Sequence, residues 1–445
     1  MAKSSASTIT RFSDIFDRLQ EIDRDIEELQ RLKARLPAGR AFSQGIQISF
    51  DKAINDLLNE KIDLQGLEIE DPPEELLQEI LAVDMATASR ISVAHVREPE
   101  ALSARDEQVR AFLEAMPKTE IHLHMEACIS KETLMSMMDA NGQAYEVADV
   151  DKLYQFSNLN EFIKLFLFIL DAIKAPSDFE FIFGNLRSYL EANNIKYCEA
   201  FLAPSKMIQN GLDFNEIAAV LDDQARKSVR EGGPDVKFLI DVSRTFGPEN
   251  ASQNLQRVLK AKTDSIIGIG LGGAELMGPA RDFGPVFAQA RAEGLRAVAH
   301  AGEDDGSWSV RDSVEILKAE RIGHAISAIQ DPELLDLMKE RNIPIEICLT
   351  SNIFTGKYVR READHPVRRY YDMGMPLCIN TDDPEIFNVN LTDEYFKLYK
   401  HLDFTMSELT DLVRQGVNAT FQSDPGAMWR EFEPEIARLR EVHKV

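Results

Sequence analysis

From about residue 111 onward, short apolar or β-branched runs alternate with stretches whose apolar residues recur at helical spacing. The runs are Thr119–His124, Ile195–Phe201, Val236–Val242, Ile266–Gly270, Arg296–His300, Arg321–His324, Ile343–Cys348 and Met375–Thr381. Stretches between them, such as Phe283–Glu293 and Asp331–Glu340, read as amphipathic helices. Eight strands with intervening helices over roughly 330 residues predict an α/β fold, a (β/α)8 TIM barrel rather than an open sheet. The stretch between the first two strands is longer than an ordinary βα connection. Its Phe162, Leu165, Phe166 and Phe168 are either an apolar wall or lid beside the barrel mouth or ordinary core-facing helix residues.

Residues 1–110 have a different texture. Ile15, Leu19, Ile22, Ile26 and Leu29 recur every four or three positions with Asp, Glu and Arg between them, and Pro37 ends the pattern. That spacing predicts an amphipathic helix with a narrow apolar seam, too short to be a stable coiled coil alone. Further helical stretches are expected at about 51–65 and 73–83. The segment carries 22 acidic and 14 basic residues and no catalytic cluster. The expected division is therefore 1–110, a helical extension that caps the barrel or mediates subunit contact, and 111–445, the barrel itself. A homo-oligomer through the N-terminal helices follows from the second of those roles.

Charge narrows the partners. A formal net charge of −25 argues against a nucleic-acid groove or an anionic membrane surface. The expectation is a small-molecule substrate, no nucleic acid and no membrane. Cys128, Cys198, Cys348 and Cys378 show no CxxC or secreted-scaffold spacing, which reads as buried free thiols in a reducing compartment. With no apolar leader and no long uncharged run, a cytoplasmic location is expected.

The chemistry lies at strand ends. His122-Leu-His124, His300-Ala-Gly-Glu303 and Asp382-Asp383 each follow an apolar run, at the end that faces the mouth of a parallel barrel. Residues i and i+2 of a strand share a side, so His122 and His124 can reach one ion. A third imidazole and a carboxylate complete an N/O set suited to Zn²⁺. Only Asp382 need ligate, leaving Asp383 for another task. Glu303, three residues past His300, is either a carboxyl held protonated by burial or a helix-start carboxylate favoured by the dipole. His324 ends a neighbouring strand and is a candidate to orient an attacking hydroxide. Gly268-Ile-Gly270-Leu-Gly-Gly273 matches GxGxxG, but on the fourth strand of a barrel pattern rather than the first of a dinucleotide unit. Glycines there fit close approach of a flat ligand.

Together these strings resemble the adenosine deaminase family of the metal-dependent amidohydrolase superfamily, over about residues 115–422. The resemblance is carried by Met116-Pro-Lys-Thr-Glu-Ile-His-Leu-His124, Tyr197-Cys-Glu199, Gly268-Ile-Gly-Leu-Gly-Gly-Ala-Glu275, His300-Ala-Gly-Glu303 and Arg321-Ile-Gly-His324. Glu346-Ile-Cys-Leu-Thr-Ser-Asn352, His365-Pro366 and Asn380-Thr-Asp-Asp-Pro384 complete it. It implies one Zn²⁺ per subunit on His122, His124, His300 and Asp382. It further implies that Glu303 protonates purine N1, His324 positions the attacking hydroxide, Asp383 binds N7 and the Gly273 backbone N–H meets N3. Glu126, after the HxH pair, stands where nucleoside deaminases commonly carry a ribose-contacting Asp and adenine deaminases a Glu. Phe201 replaces an Arg, Gly270 an Asp and Leu349 a Pro of the usual pattern.

The expected activity is hydrolysis of a 6-aminopurine nucleoside, adenosine or deoxyadenosine, to the 6-oxo purine nucleoside and ammonia. The alternatives are a deaminase of adenine base, of an N6-substituted purine or of a purine nucleotide; Arg360, Arg361, Arg368 and Arg369 are the candidate phosphate group. Binuclear amidohydrolases usually carry a bridging Lys after the fourth strand, and Ile266–Gly273 has none. A non-catalytic interaction protein on the same fold is disfavoured because every residue implied to touch the metal is present.

Overall fold

The computed structural model describes residues 102–155, 159–261 and 263–445. Eight parallel strands pair in chain order. They are β1 (Lys118–His124), β2 (Ile195–Leu202), β3 (Asp235–Asp241), β4 (Ile266–Leu271), β5 (Arg296–Ala301), β6 (Arg321–His324), β7 (Ile345–Ile347) and β8 (Leu377–Ile379). Each expected run is a strand, displaced by at most a few residues at its ends. The ring closes through an isolated parallel bridge between Leu123 and Asp382. Two bonds flank that bridge, His124 N–H to Asp382 O at 2.9 Å and Asp382 N–H to His122 O at 3.2 Å. Asn380 adds a side-chain seam, its Oδ1 accepting from the backbone N–H groups of Ile121 and His122 at 2.8 and 3.0 Å. The first metal-candidate strand and the last are thereby tied where their site residues emerge.

The helices form the outer ring. The expected ones appear at Gly284–Ala292 and Pro332–Glu340; the second starts where Asp331 accepts from the Leu334 N–H at 3.1 Å and Pro332 needs no partner for a missing N–H. The long β1–β2 connection contains the helix Leu159–Ala172, in which Leu165 and Ile169 are buried in the main core. For Leu165 the core-facing reading holds; the Phe162 side chain lies outside the described set. The helix Ala104–Ala115 crosses the boundary expected at 110 and packs Val109, Phe112 and Leu113 into the barrel core. The remaining expectations for residues 1–101, including the subunit contact, fall outside the described residues. Among those described, no helix is long and apolar enough to cross a membrane. All four cysteines are free and buried.

At the barrel floor, Arg321 of β6 is fully enclosed. Its Nη1 meets Glu199 Oε2 and its Nε meets Glu346 Oε1, both at 2.6 Å, and its guanidinium lies 3.8 Å from the Phe421 ring centroid. A buried cation with two carboxylates and an aromatic lid is satisfied only as a set.

Candidate active site

At the opposite end, the side chains expected to meet do meet. His122 is fully buried on β1 and His124 ends that strand. Their Nε2 atoms lie 3.4 and 3.2 Å from the same oxygen, Asp382 Oδ1. His300 of β5 brings its Nε2 within 3.1 Å of His124 Nε2. Asp382 sits just past β8 with φ +71, a left-handed backbone that turns its carboxylate inward. Ser351 Oγ donates to the other oxygen, Oδ2, at 2.7 Å. Donor atoms of His122, His300, His324 and Asp382 lie within 4.8 Å of one another, as do those of His124, Asp382 and Asp383.

These residues fit a divalent cation on structural grounds. The His122 Nδ1–H points at Glu346 Oε2, 2.6 Å away, so the Nε2 facing the mouth carries the lone pair. That buried Nε2 has no hydrogen-bond partner. Where no cation is bound, the same negative charge favours protons on these rings instead. Burial alone would lower the His122 and His124 imidazoles, but Asp382, aided at His122 by Glu346, carries them up to about 9 and about 10. The site therefore attracts positive charge. His300 goes the other way: desolvation and the neighbouring imidazoles hold it well below the usual histidine range.

Around this cluster stand three further expected residues. Glu303, past β5, accepts from Thr355 Oγ1 at 3.0 Å and lies 3.5 Å from His324 Nε2. Burial, then the Asp304 and Asp382 charges, push its carboxyl well above the usual range. Desolvation lowers His324 to about 3. Asp383 is buried beside Asp382, and burial followed by that like charge pushes it up to about 8. Glu126 lies behind His124 in a short turn; its Oε1 accepts from the Ala203 N–H at 2.7 Å, while Oε2 is buried without a partner. Gly273 follows β4 at φ +89, with the β3 loop so close that a Cβ would come 2.7 Å from Ser243 Oγ and 2.9 Å from Thr245 Oγ1.

Several contributors escape motif reading. Glu346 stands in one of the quoted strings, yet its bond to His122 is visible only in three dimensions. Phe201 walls the site, its ring 5.1–5.2 Å from those of His122, His124 and His300. Asp241 of β3 pairs in register with Gly270 of β4. A methyl group at 270 would overlap the Asp241 carboxylate and come within 2.7 Å of Phe201. The Asp241 carboxylate of β3 thus fills the space beside Gly270 and lies 3.8 Å from His124 Nδ1. Glu275 holds the turn after β5 by accepting from the backbone N–H groups of Gly302, Glu303, Asp304 and Asp305 at 2.6–3.1 Å. Of the arginines considered for phosphate, Arg361 pairs with Asp364, and Arg368 with Asp372 and Glu408. Arg360 and Arg369 are exposed.

Comparison with known proteins gives a consistent picture. Residues 117–428 match the family model described as adenosine deaminase. An aminodeoxyfutalosine deaminase of Streptomyces avermitilis is 31% identical over 332 residues, covering 74% of this chain and 92% of that protein. An adenine deaminase of Rhodopseudomonas palustris is 30% identical over 338 residues, covering 74% and 97%. Among solved structures, an adenine deaminase from Arthrobacter aurescens superposes with a TM-score of 0.67 at 25% identity, covering 74% of this chain and all of that one.

Proposed function

Because the chain belongs to the adenosine deaminase family, we propose that it is a metal-dependent hydrolase that removes the 6-amino group of a purine as ammonia. The observation that carries this is the convergence of His122, His124 and His300 on Asp382, with Glu303 and His324 at one side. In this reading His122, His124, His300 and Asp382 hold one Zn²⁺. When bound, that ion supplies Lewis-acid activation of water near neutral pH.

The chain's own residues do the rest. The Phe201 side of the mouth excludes water and offers an aromatic wall. Glu303, kept protonated by its surroundings, gives its proton to N1 as an oxygen adds at C6, so negative charge does not accumulate on the ring. His324 stands on the other side of that carboxyl and hydrogen-bonds the attacking oxygen. Asp383 binds N7, and the Gly273 N–H meets N3. As the C6 adduct collapses, its hydroxyl proton passes to the departing amino group, which leaves as ammonia; the 6-oxo purine keeps the proton on N1, and the proton shed by the attacking water restores Glu303.

Adenosine and deoxyadenosine are the first substrates proposed. A second reading, adenine base, is favoured by Glu126: a buried carboxyl with one unpartnered oxygen suits a ring nitrogen in the place where a sugar would otherwise reach. Of the relatives named above, one is by its name an adenine deaminase, and the other is by its name a deaminase of aminodeoxyfutalosine. A nucleotide is disfavoured by the acidic surroundings of the mouth, where Glu126, Asp241, Glu303, Asp304, Asp305, Asp382 and Asp383 gather, and by the carboxylate partners of Arg361 and Arg368.

The test is ammonia release and purine absorbance with zinc-loaded protein and adenine, adenosine, deoxyadenosine, their monophosphates and N6-methyl analogues. Turnover of one unphosphorylated 6-aminopurine is expected; turnover of none sinks the proposal. Glu303→Gln is expected to keep metal and lose about 10²–10⁴-fold in kcat. Near-normal turnover would remove Glu303 from the proton-donor role.

A further inference from the structure

The polar contacts behind His324 specify which of its two nitrogens bears the proton. They begin at a backbone N–H, whose role as donor is fixed. Val367 opens the helix Val367–Asp372, and its N–H meets His365 Nδ1 at 3.1 Å. An N–H at a helix start needs an acceptor from outside the helix. Nδ1 of His365 therefore carries a lone pair, the ring is neutral, and its proton is on Nε2. That Nε2–H faces Asn352 Oδ1 at 3.3 Å. The contact orients the amide, with oxygen toward His365 and nitrogen toward His324. Asn352 Nδ2 in turn lies 3.0 Å from His324 Nδ1. An amide nitrogen only donates, so His324 Nδ1 accepts and the His324 proton sits on Nε2. Nε2 is the nitrogen 3.5 Å from Glu303 Oε2. His324, Asn352 and His365 are all buried, so solvent does not offer competing partners along the chain.

We propose that Asn352 and His365 are positioning residues that lock His324 as an Nε2–H donor toward the reacting centre. The consequence is a division of labour among crowded imidazoles. By position alone His324 belongs to a donor set with His122, His300 and Asp382. With a proton on its inward nitrogen it is neither a ligand to the cation nor a base; it hydrogen-bonds the attacking oxygen and orients it. His122 receives the opposite instruction from Glu346, which takes its Nδ1–H and leaves Nε2 bare. One buried carboxylate and one buried amide thus sort two neighbouring rings into ligand and donor.

The kinetic part rests on the deaminase reading above; the tautomer does not. The test is nitrogen-15 NMR of histidine-labelled, zinc-loaded protein, with the His324 signals assigned by their loss in His324→Gln. A protonated, pyrrole-type Nε2 and a bare, pyridine-type Nδ1 are expected in the wild type. In Asn352→Asp the new carboxylate accepts from both rings, draws the His324 proton to Nδ1 and leaves Nε2 bare. Metal content should stay at that of the wild type, with kcat down by about 10²-fold or more and KM within about threefold. His365→Gln keeps an amide N–H toward Asn352 and should retain the wild-type tautomer and rate, whereas His365→Leu should lose both. A proton on Nδ1 in the wild type overturns the proposal, as does Asn352→Asp with undiminished kcat. The wild-type spectrum decides the tautomer even if a variant fails to fold. Absence of any purine turnover by the wild type would instead defeat the functional reading and leave the tautomer assignment to stand or fall on the spectrum.

Discussion

Two imidazoles at the mouth, His122 and His324, take their roles from the groups behind them. His122 is held by Glu346, and Glu346 is simultaneously held by Arg321 at the barrel floor. The Arg321 guanidinium and the His122 N–H keep the Glu346 carboxyl below the usual range despite burial, so it remains an anion and a firm acceptor. Glu346→Gln should weaken metal binding about 10–100-fold, read by competition with a chelator, while leaving the other ligands in place. Unchanged affinity would show that His122 needs no such support. His300→Ala should lose bound metal outright, measured as metal per chain. Glu303 gives a pH dependence of known sign. Because its carboxyl is raised, the acid form persists above the ordinary carboxylate range, and kcat should fall as pH rises through the folded value. In Glu303→Gln that alkaline limb should vanish.

At the scale of elements, the strand pair β3–β4 packs a side chain of one strand into the space a glycine leaves on the other. Asp241 occupies what would be the Cβ space of Gly270, its register partner, and Phe201 of β2 closes the same gap. Gly270→Ala should therefore destabilise the fold by about 1–3 kcal/mol, the range for overpacking. In an Asp241→Ala background the cost should shrink, and a double-mutant cycle by chemical denaturation gives the coupling. Strictly additive effects would mean the two positions do not share space. Strand positions were legible because each strand is a compact apolar run whose ends coincide with a change to polar residues. The Asp241 contact was legible only as a gap: a glycine in the strand says that space is needed, not which neighbour fills it.

At the scale of the whole molecule, the barrel is completed by residues far apart in the chain. Asn380 and Asp382 join the last strand to the first. The helix Ala104–Ala115 adds Val109, Phe112 and Leu113 to the core, while Asp106 pairs with Lys400 at 2.9 Å and Arg110 with Asp393 at 2.6 Å. A chain beginning at 102 is expected to bind metal with wild-type stoichiometry. One beginning at 111 should be markedly less stable, since it loses Val109 and both ion pairs; equal melting temperatures for the two would contradict this. The sequence by itself determined the strand count, the barrel and the identity of the residues at its mouth, because strand periodicity and the common direction of parallel strands carry i, i+2 and strand-end positions to one place. What the tertiary structure alone decided is the state of those residues: Glu346 behind His122, Asn352 behind His324, Asp241 against Gly270. These are contacts between strands and loops 28 to 224 positions apart, and hydrogen-bond direction and shared volume depend on distances of a few ångströms that no spacing along a chain encodes.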